Sequence, residues 1–320
     1  MGEFDLIERF FKRPPRQATV GIGDDCAIWT PSYGQQIALS ADMLVEGRHF
    51  LPTVDPARLG HKSLAVNLSD LAACGATPRA FLLSLSLPSA DESWLTGFAS
   101  GLLALADEFA CELIGGDTTR GPLNIAITVM GEVPSGQALL RSGAQVGDDI
   151  YVSGSLGDAR LALEAFRGHV SLPQMVFEQA RLRMEKPTPR VELGKALRSL
   201  AHAAIDVSDG LLGDLNHVLL ASGGVGARIE LDPVMTLLEA KQHWHVPEPM
   251  ALTCLLSGGD DYELVFTASP DQRQAVSNAS TLCCTRVTRI GCVTASPGLT
   301  LWDARGQQVH DRFSSFDHFG

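Results

Sequence analysis

Six short segments place small residues around aspartate, and their composition suits the binding of phosphate groups and metal ions. They are GIGDD at 21–25, SAD at 40–42, NLSD at 67–70, GGD at 115–117, DVSDG at 206–210 and SGGDD at 257–261. Glycine and serine allow a backbone to approach a ligand closely, and carboxylates bind hard divalent cations such as Mg²⁺. Together the segments predict a phosphate site that holds several metal ions.

The same residues suit phosphoryl transfer, in which a protein aligns two phosphates while cations neutralise the charge on the transferred group. The candidate metal ligands are Asp25, Asp42, Asp70, Asp117, Asp206 and Asp209. Since Mg²⁺ usually binds one or two carboxylates besides water and substrate phosphates, six acids indicate several ions bridged by a nucleoside triphosphate. Taken singly, each segment is more often a turn or a helix cap, but their number in one chain favours a metal site.

The familiar nucleotide-binding signatures are missing from the sequence. There is no G-x-x-x-x-G-K-[ST] loop and no set of protein-kinase motifs, and GIGDD lacks the third glycine of a dinucleotide fingerprint. Arg141 is a candidate for binding ATP phosphates because a guanidinium donates two parallel hydrogen bonds, although a surface arginine is the commoner role. His49 could bind a substrate or be structural, and Phe316 could anchor the terminus or stack on a flat ring.

Local patterns predict the elements that carry these acids. An apolar run at 37–39 predicts a strand that ends at Asp42, and an apolar run at 111–114 predicts a strand that ends at GGD. Between them, Asp55 followed by proline predicts the start of a helix. One face of that helix would carry a polar stripe made of Ser63, Asn67 and Asp70. Strands and a helix are therefore expected to position the acids.

The length of 320 residues, with 45% apolar composition, favours two domains over one. A turn-rich stretch, Pro134-Ser135-Gly136, follows a continuous run of alternating helices and strands. The predicted domains are therefore 1–136, which would bind metal and nucleotide, and 137–320, which would complete the nucleotide and substrate site.

Charge and cysteine content limit the classes of partner and compartment. A net charge of −12 disfavours binding to nucleic acid or to an anionic membrane, since both need a positive surface. The seven cysteines follow no zinc-finger spacing, which favours reduced thiols. No signal-peptide core and no stretch of about 18 apolar residues is present, so the sequence predicts a cytoplasmic protein.

With these residues assembled, the chain resembles the thiamine-monophosphate kinases, a branch of the larger family that includes aminoimidazole ribonucleotide synthetase. The similarity runs nearly end to end, and the order and spacing of its segments make it specific. The segments that carry it are GEF at 2–4, GIGDDCA at 21–27, AVNLSDLAACGA at 65–76, IGGDTTRGP at 114–122, RSGA at 141–144, DVSDGLLGDL at 206–215, SGGDDYEL at 257–264 and FDHF at 316–319.

The resemblance implies an α+β fold of two α/β domains of the aminoimidazole ribonucleotide synthetase-like type. The N-terminal domain would hold a mixed sheet that pairs in a homodimer, and the C-terminal domain a larger mixed sheet with helices. The implied reaction is ATP-dependent phosphorylation of thiamine monophosphate to thiamine diphosphate by direct in-line transfer with several Mg²⁺ ions. No side chain is expected to act as general base or nucleophile, because the acceptor phosphate is largely dianionic at neutral pH.

The resemblance also implies a role for each matching residue. The residues expected around Mg²⁺ are Asp25, Ser40, Ala41, Asp42, Asp70, Asp117, Asp206 and Asp209. Those expected near ATP are Gly116, Asp117, Arg141 and Ser208, with Arg141 and the ions stabilising transition-state charge. His49, Asp260 and Phe316 are expected to contact thiamine monophosphate. Ala41 stands where the family often has threonine, so a metal contact there would use the backbone carbonyl, and Asp260 stands where glutamate is usual.

Two other interpretations stay open on the sequence. The nearest is another ATP-using enzyme of the same larger family, one that activates a carbonyl oxygen in purine synthesis, although FDHF and SGGDDYEL favour the thiamine enzyme. The other is a noncatalytic sensor that binds Mg²⁺ and nucleotide through the acidic segments. Such a sensor would bind Mg-ATP without forming ADP when thiamine monophosphate is added.

Overall fold

The computed structural model describes residues 2–309, which divide into two compact units. The first unit runs up to Leu71 and from Ala76 to Gly136. The second comprises Ala72–Gly75 and the chain from Gln137 onward. Within the described residues, no helix is long and apolar enough to cross a membrane.

The first unit is built on a four-stranded mixed sheet with the strand order β1-β4-β2-β3. Its elements in chain order are α1 (Glu3–Leu6), β1 (Gln35–Val45), α2 (Pro56–Ala73), β2 (Thr77–Leu87), α3 (Glu92–Glu108), β3 (Glu112–Arg120) and β4 (Asn124–Pro134). Strands β2 and β3 are parallel, and β4 is antiparallel to both β1 and β2. Alternating side chains of β2 and β4, such as Phe81 and Ile127, are buried in the core.

Helices α2 and α3 begin at aspartate caps and lie in close contact. The Asp55 carboxylate accepts hydrogen bonds from the amides of Ala57 and Arg58, which confirms the predicted helix start. Gly60 of α2 and Gly101 of α3 face backbone atoms of the opposite helix, where a Cβ would collide. The two backbones can therefore approach more closely than side chains would allow.

The acidic segments of β1 and β3 lie inside the strands, so the prediction that each strand ends at its acids was wrong. Asp42 is paired with Ile127 three residues before β1 ends, and Asp117 is paired with Ser84 within β3. Serine, aspartate and glycine disfavour strands locally, but pairing with β4 and β2 holds these segments extended.

The second unit contains a seven-stranded mixed sheet in the order β11-β10-β7-β9-β5-β8-β6. Its strands are β5 (Asp149–Ser153), β6 (Ala203–Val207), β7 (Gly226–Glu230), β8 (Glu263–Ala268), β9 (Val287–Thr294), β10 (Gly298–Trp302) and β11 (Gln308–Val309). Its helices are α4 (Asp158–Phe166), α5 (Gln174–Glu185), α6 (Val191–Leu197), α7 (Leu211–Ala221), α8 (Leu231–Met235), α9 (Glu248–Ser257) and α10 (Arg273–Leu282). A large apolar cluster that includes Ile205, Leu215 and Leu255 forms the core. The predicted α+β class with two mixed sheets is confirmed.

A buried ion network lies at the start of β8. The Glu263 side chain, with no exposed surface, accepts hydrogen bonds from the guanidinium groups of Arg183 and Arg190 at 2.8 and 2.5–2.6 Å. Ser153 donates a further hydrogen bond to it at 2.6 Å. Because both guanidinium groups and the hydroxyl converge on one carboxylate, its charge is compensated although water is excluded.

Asp158, at the first turn of α4, is buried and accepts hydrogen bonds from the amides of Glu239 and Ala240. Burial raises its pKa to about 6, against the lowering effect of these hydrogen bonds. The folded state therefore binds a proton more tightly than the unfolded chain. The stabilisation from this group is present below about pH 4 and is lost as the pH rises through about 6.

We expect the free energy of unfolding of the wild type, measured relative to Asp158→Asn, to fall by up to about 3 kcal/mol between pH 4 and pH 7. Asparagine does not titrate, and the contributions of the other carboxylates to the pH dependence are the same in both proteins. The difference between the two proteins therefore reports on Asp158 alone. Urea unfolding of both proteins across this range measures the difference. Parallel stability curves for the two proteins would contradict a raised pKa for Asp158.

Candidate functional site

The predicted site residues divide between the two units, and each unit gathers some of them. The first unit holds Asp25, Ser40, Ala41, Asp42, His49, Asp70, Gly116 and Asp117. The second holds Arg141, Asp206, Ser208, Asp209 and Asp260. Phe316 lies outside the described residues, so its role stays a prediction.

Strand β1 and helix α2 bring three of the predicted metal ligands to one place in the first unit. Ser40 and Asp42 lie on the half-buried face of β1, and the Ser40 hydroxyl donates a hydrogen bond to the Asp70 carboxylate of α2. Ala41 is exposed and its side chain lies on the other face of β1. Only its backbone carbonyl could therefore bind a metal ion together with Ser40 and Asp42. The polar stripe of α2 thus faces the acidic side of β1.

Asn67, which the sequence analysis placed in this stripe without a role, fixes the position of Asp42. Its buried side chain accepts a hydrogen bond from the Asp42 amide at 3.1 Å and donates one to the Ser63 carbonyl at 3.0 Å. Strand β1 lies at the edge of the sheet, and the Asn67 side chain provides the acceptor for this amide. The spacing of Asn67 and Asp70 on one helix face was the sequence signal for this arrangement.

His49 lies in the turn after β1, and a hydrogen bond from a backbone amide to its ring selects the tautomer of the neutral imidazole. The Val45 amide donates a hydrogen bond to His49 Nδ1 at 3.0 Å. Because Nδ1 acts as an acceptor, the neutral ring carries its proton on Nε2. His49 is therefore suited to donate a hydrogen bond from Nε2 to an anionic oxygen.

Gly116 and Asp117 lie on β3, three strands away from β1. The register places Gly116 in the same row as Asp42, about 14 Å across the sheet, and Asp117 in the next row, whose side chains face the other side. Asp25 lies in an exposed turn. The structure thus brings Ser40, Asp42 and Asp70 together without Asp117, and the metal role of Asp25 and Asp117 stays a prediction.

In the part of the chain that the structure describes, no three His, Cys, Asp or Glu side chains lie close enough to enclose a metal ion. The oxygen donors of Ser40, Asp42 and Asp70 nevertheless match the ligand type that Mg²⁺ requires. Since Mg²⁺ commonly takes one or two carboxylates and completes its shell with water and phosphate oxygens, this partial donor set fits an ion brought with a nucleotide.

In the second unit, Asp206 is the next-to-last residue of β6, and the strand is followed by a turn held by Asp214 of α7. One Asp214 carboxylate oxygen accepts hydrogen bonds from the amides of Ser208, Asp209 and Gly210, each at 3.1 Å. Burial raises the pKa of Asp214 to about 6 in spite of these hydrogen bonds. Asp214 therefore shapes the turn that carries Ser208 and Asp209. Its position in the first turn of a helix, after an acidic loop, was the signal that could have identified it.

The segment that contains Asp260 packs directly on this turn. The Asp260 amide donates to the Ser208 carbonyl at 2.8 Å, and a Cβ on Gly259 would collide with the same carbonyl. Asp260 and Tyr262 both have positive φ angles, 73° and 53°, which are unusual for residues other than glycine. Between them, the buried Asp261 accepts a hydrogen bond from the Gly157 amide and has a raised pKa because of its burial. Asp261 holds the segment in place, and Asp260 is half-buried beside Ser208.

Arg141 lies in a segment that runs beside β6, the edge strand that leads to Asp206. The Ala204 amide donates to the Leu140 carbonyl at 2.9 Å, and the Arg141 side chain is exposed. Along β6, this contact is four residues, or about 13 Å, from Ser208. The Arg141 segment and the Ser208 turn therefore lie near opposite ends of the same strand.

Comparison with known proteins shows that both halves of the chain match domains of the same family. The family of AIR synthase related proteins matches through its N-terminal domain over residues 23–133 and through its C-terminal domain over residues 145–304. The thiamine-monophosphate kinase of Salmonella typhimurium is 43% identical, with 99% of this chain and 98% of that protein covered.

Two solved structures extend the comparison to three dimensions. Thiamine-monophosphate kinase from Stenotrophomonas maltophilia is 43% identical, with a TM-score of 0.84 and 96% of each chain covered. A ThiL protein complexed with AMPPCP and TMP is 28% identical, with a TM-score of 0.75, and the match covers 91% of this chain and 89% of that one. The similarity of this chain to these relatives, in both sequence and fold, thus extends over nearly its whole length.

Proposed function

The chain belongs to the thiamine-monophosphate kinase family of the AIR synthase related proteins, and from this premise we propose that it phosphorylates thiamine monophosphate to thiamine diphosphate with ATP. The observation that carries the proposal is 43% identity over 99% of the chain to a kinase of that name. Further support comes from the related ThiL protein that binds AMPPCP, an ATP analogue, together with TMP.

The proposed reaction joins two anions without an intermediate on the protein. An oxygen of the acceptor phosphate forms a bond to the γ-phosphorus of ATP while the bond from that phosphorus to the β–γ bridging oxygen breaks, which releases ADP. A phosphate monoester has a second pKa near 6 and is mostly dianionic at neutral pH, so no base needs to remove a proton. Alignment and charge compensation are therefore the main tasks of the protein.

The described residues suit these tasks. Arg141 is proposed to bind ATP phosphates, and Gly116, Asp117 and Ser208 keep their predicted ATP-binding roles. His49, with its proton on Nε2, is suited to hold the anionic acceptor, and Asp260 is suited to a cationic part of the substrate. Phe316 keeps its predicted role as a substrate contact.

Oxygen donors in each of the two units are proposed as ligands of Mg²⁺ ions. The set brought together is Ser40, Asp42 and Asp70, and the further proposed ligands are Asp25, the backbone of Ala41, Asp117, Asp206 and Asp209. Bound Mg²⁺ would supply positive charge that offsets repulsion between acceptor and donor phosphates. Asn67 and Asp214 keep two of these acids in position through their hydrogen bonds to backbone amides.

A direct assay tests the proposal. Purified protein is incubated with Mg-ATP and thiamine monophosphate, and thiamine diphosphate and ADP are resolved by chromatography, with thiamine and an aminoimidazole precursor as alternative acceptors. We expect thiamine diphosphate and ADP in equal amounts from thiamine monophosphate alone. Turnover of the aminoimidazole precursor instead, or ATP binding without ADP formation, would overturn the assignment. A phosphoenzyme trapped in a single turnover would reject direct transfer.

We also propose that the protein forms a homodimer through the outer face of β1. On this strand Ile37, Leu39 and Met43 are 44%, 66% and 54% exposed and alternate with the half-buried acidic face. Three apolar side chains in line on a regular strand form a continuous patch, which is typical of a protein interface. A second copy of the same strand would cover it.

We expect Leu39→Asp to weaken the dimer at least tenfold, because a buried and unpaired carboxylate costs more than about 1.4 kcal/mol at an interface. Sedimentation velocity at several concentrations measures the dissociation constant. The matched control is Leu282→Asp, since Leu282 is 83% exposed on α10 in the second unit. A monomeric wild type at micromolar concentration, or equal effects of the two variants, would contradict a dimer formed through this face.

The cytoplasm remains the proposed compartment. Among the described residues, no disulfide bond joins Cys26, Cys74, Cys111, Cys254, Cys283, Cys284 or Cys292. Reduced cysteines are typical of a reducing compartment, in keeping with the proposal.

A further inference from the structure

The segment that carries Arg141 is held by a single serine side chain at the end of α7. The amides of Gly143 and Ala144 donate hydrogen bonds to Ser222 Oγ at 3.1 and 3.0 Å. The Ser222 hydroxyl in turn points to the Arg141 carbonyl at 3.4 Å. A hydroxyl has one donor and two acceptor positions, so this one group is fully used by the segment.

A second contact fixes the same segment from the side of β6. Gly143 has a φ of 121°, and a Cβ at this position would collide with the carbonyl of His202, directly before β6. The Ala204 amide donates to the Leu140 carbonyl. The backbone on both sides of Arg141 is therefore tied down, while the Arg141 side chain is exposed and can reach a ligand.

Helix α7 connects this segment to Ser208, the other nucleotide-binding candidate of the second unit. It starts at Leu211, directly after the Ser208–Gly210 turn, and Ser222 follows its last residue, Ala221. Its 11 residues span about 16 Å. One rigid helix thus sets the positions of Ser208 at its start and of the Arg141 segment at its end.

We propose that Ser222 is a positioning residue for nucleotide binding, because it fixes the backbone from which Arg141 extends toward the ATP phosphates. The inference rests on the proposed function, which places Arg141 at those phosphates. Loss of the hydroxyl leaves two amides without their acceptor and allows the segment to move. A displacement of about 1 Å at a bidentate contact can cost up to about 100-fold in rate, so the effect on ATP use exceeds the effect on folding.

The test compares Ser222→Ala with Ser222→Thr, which keeps the hydroxyl. We expect Ser222→Ala to raise KM for ATP and the Kd for Mg-AMPPCP about tenfold, with KM for thiamine monophosphate changed less than about twofold. Ser222→Thr should restore ATP affinity. Ser280→Ala is the matched control, since the Ser280 hydroxyl also donates to a backbone carbonyl, that of Thr285 at 2.6 Å.

A double variant shows whether Ser222 acts through Arg141. In an Arg141→Ala background, Ser222→Ala should add less than about twofold to the Kd for Mg-AMPPCP, because the side chain that it positions is gone. The same tenfold loss in that background, or wild-type affinity in Ser222→Ala, would overturn the proposal. Wild-type protein that binds Mg-AMPPCP but forms no thiamine diphosphate would reject the proposed function alone, and the Kd values would still decide the role of Ser222.

Discussion

Asp70→Asn is expected to lower kcat/KM by about 100-fold or more while leaving the fold intact. Asparagine has the size of aspartate and its carbonyl oxygen can still accept the hydrogen bond from Ser40, so the contact between β1 and α2 survives. What is lost is one negative charge at the place where Ser40, Asp42 and Asp70 converge. If that charge binds Mg²⁺, the variant should also need a higher Mg²⁺ concentration for half-maximal rate.

The measurements are the rate as a function of Mg²⁺ concentration and the free energy of unfolding in urea, which we expect to change by less than about 1 kcal/mol. Glu108→Gln serves as the control, because Glu108 is an exposed carboxylate at the end of α3 in the same unit. A well-folded Asp70→Asn protein with wild-type turnover and Mg²⁺ dependence would remove Asp70 from the metal ligands.

Glu263→Gln is expected to lower the free energy of unfolding by about 3–5 kcal/mol, because it leaves Arg183 and Arg190 without their shared anion. The two arginine side chains are only 19% and 16% exposed, so water replaces the lost charge poorly. Glu263 follows the Asp260 segment directly, and loss of the network should also displace that segment.

The urea midpoint and the slope of the transition measure this effect, with Glu192→Gln as the control. Glu192 pairs with Lys195 at 2.9 Å but is 66% exposed, and its replacement should change stability by less than about 0.5 kcal/mol. Equal changes for the two variants would show that burial does not strengthen the Glu263 network.

The sequence predicted the helix that carries Asp70 because its start and its polar face depend on local patterns, whereas the fold class followed from the resemblance to a known family. The aspartate cap and the polar stripe both depend on residues within a single helix, so they can be predicted without knowledge of distant partners. The strand limits around Asp42 and Asp117 were wrong for the opposite reason. Their extended conformation depends on partners such as Ile127 and Ser84, which are distant in sequence.

The supporting residues of the site were the part that the sequence could not predict. Asn67, Asp214 and Ser222 act through hydrogen bonds to backbone amides of other segments, and such pairs depend on tertiary geometry. Residue type alone gives Ser222 no role, since serine after a helix is common. Sequence motifs therefore identify the residues proposed to contact ligands better than the residues that hold those ligand-binding segments in position.

The alternation of β1 has a consequence for the mutations that this protein can tolerate. Its exposed side chains form the proposed dimer face, and its half-buried side chains include the proposed metal ligands. The two roles therefore alternate from one residue to the next along the strand. Deletion of Ala38, which has no proposed role of its own, would exchange the two faces of the strand from this point onward. Leucine would then point toward Asp70 and aspartate toward the partner copy, so we expect a short deletion here to be more harmful than most substitutions.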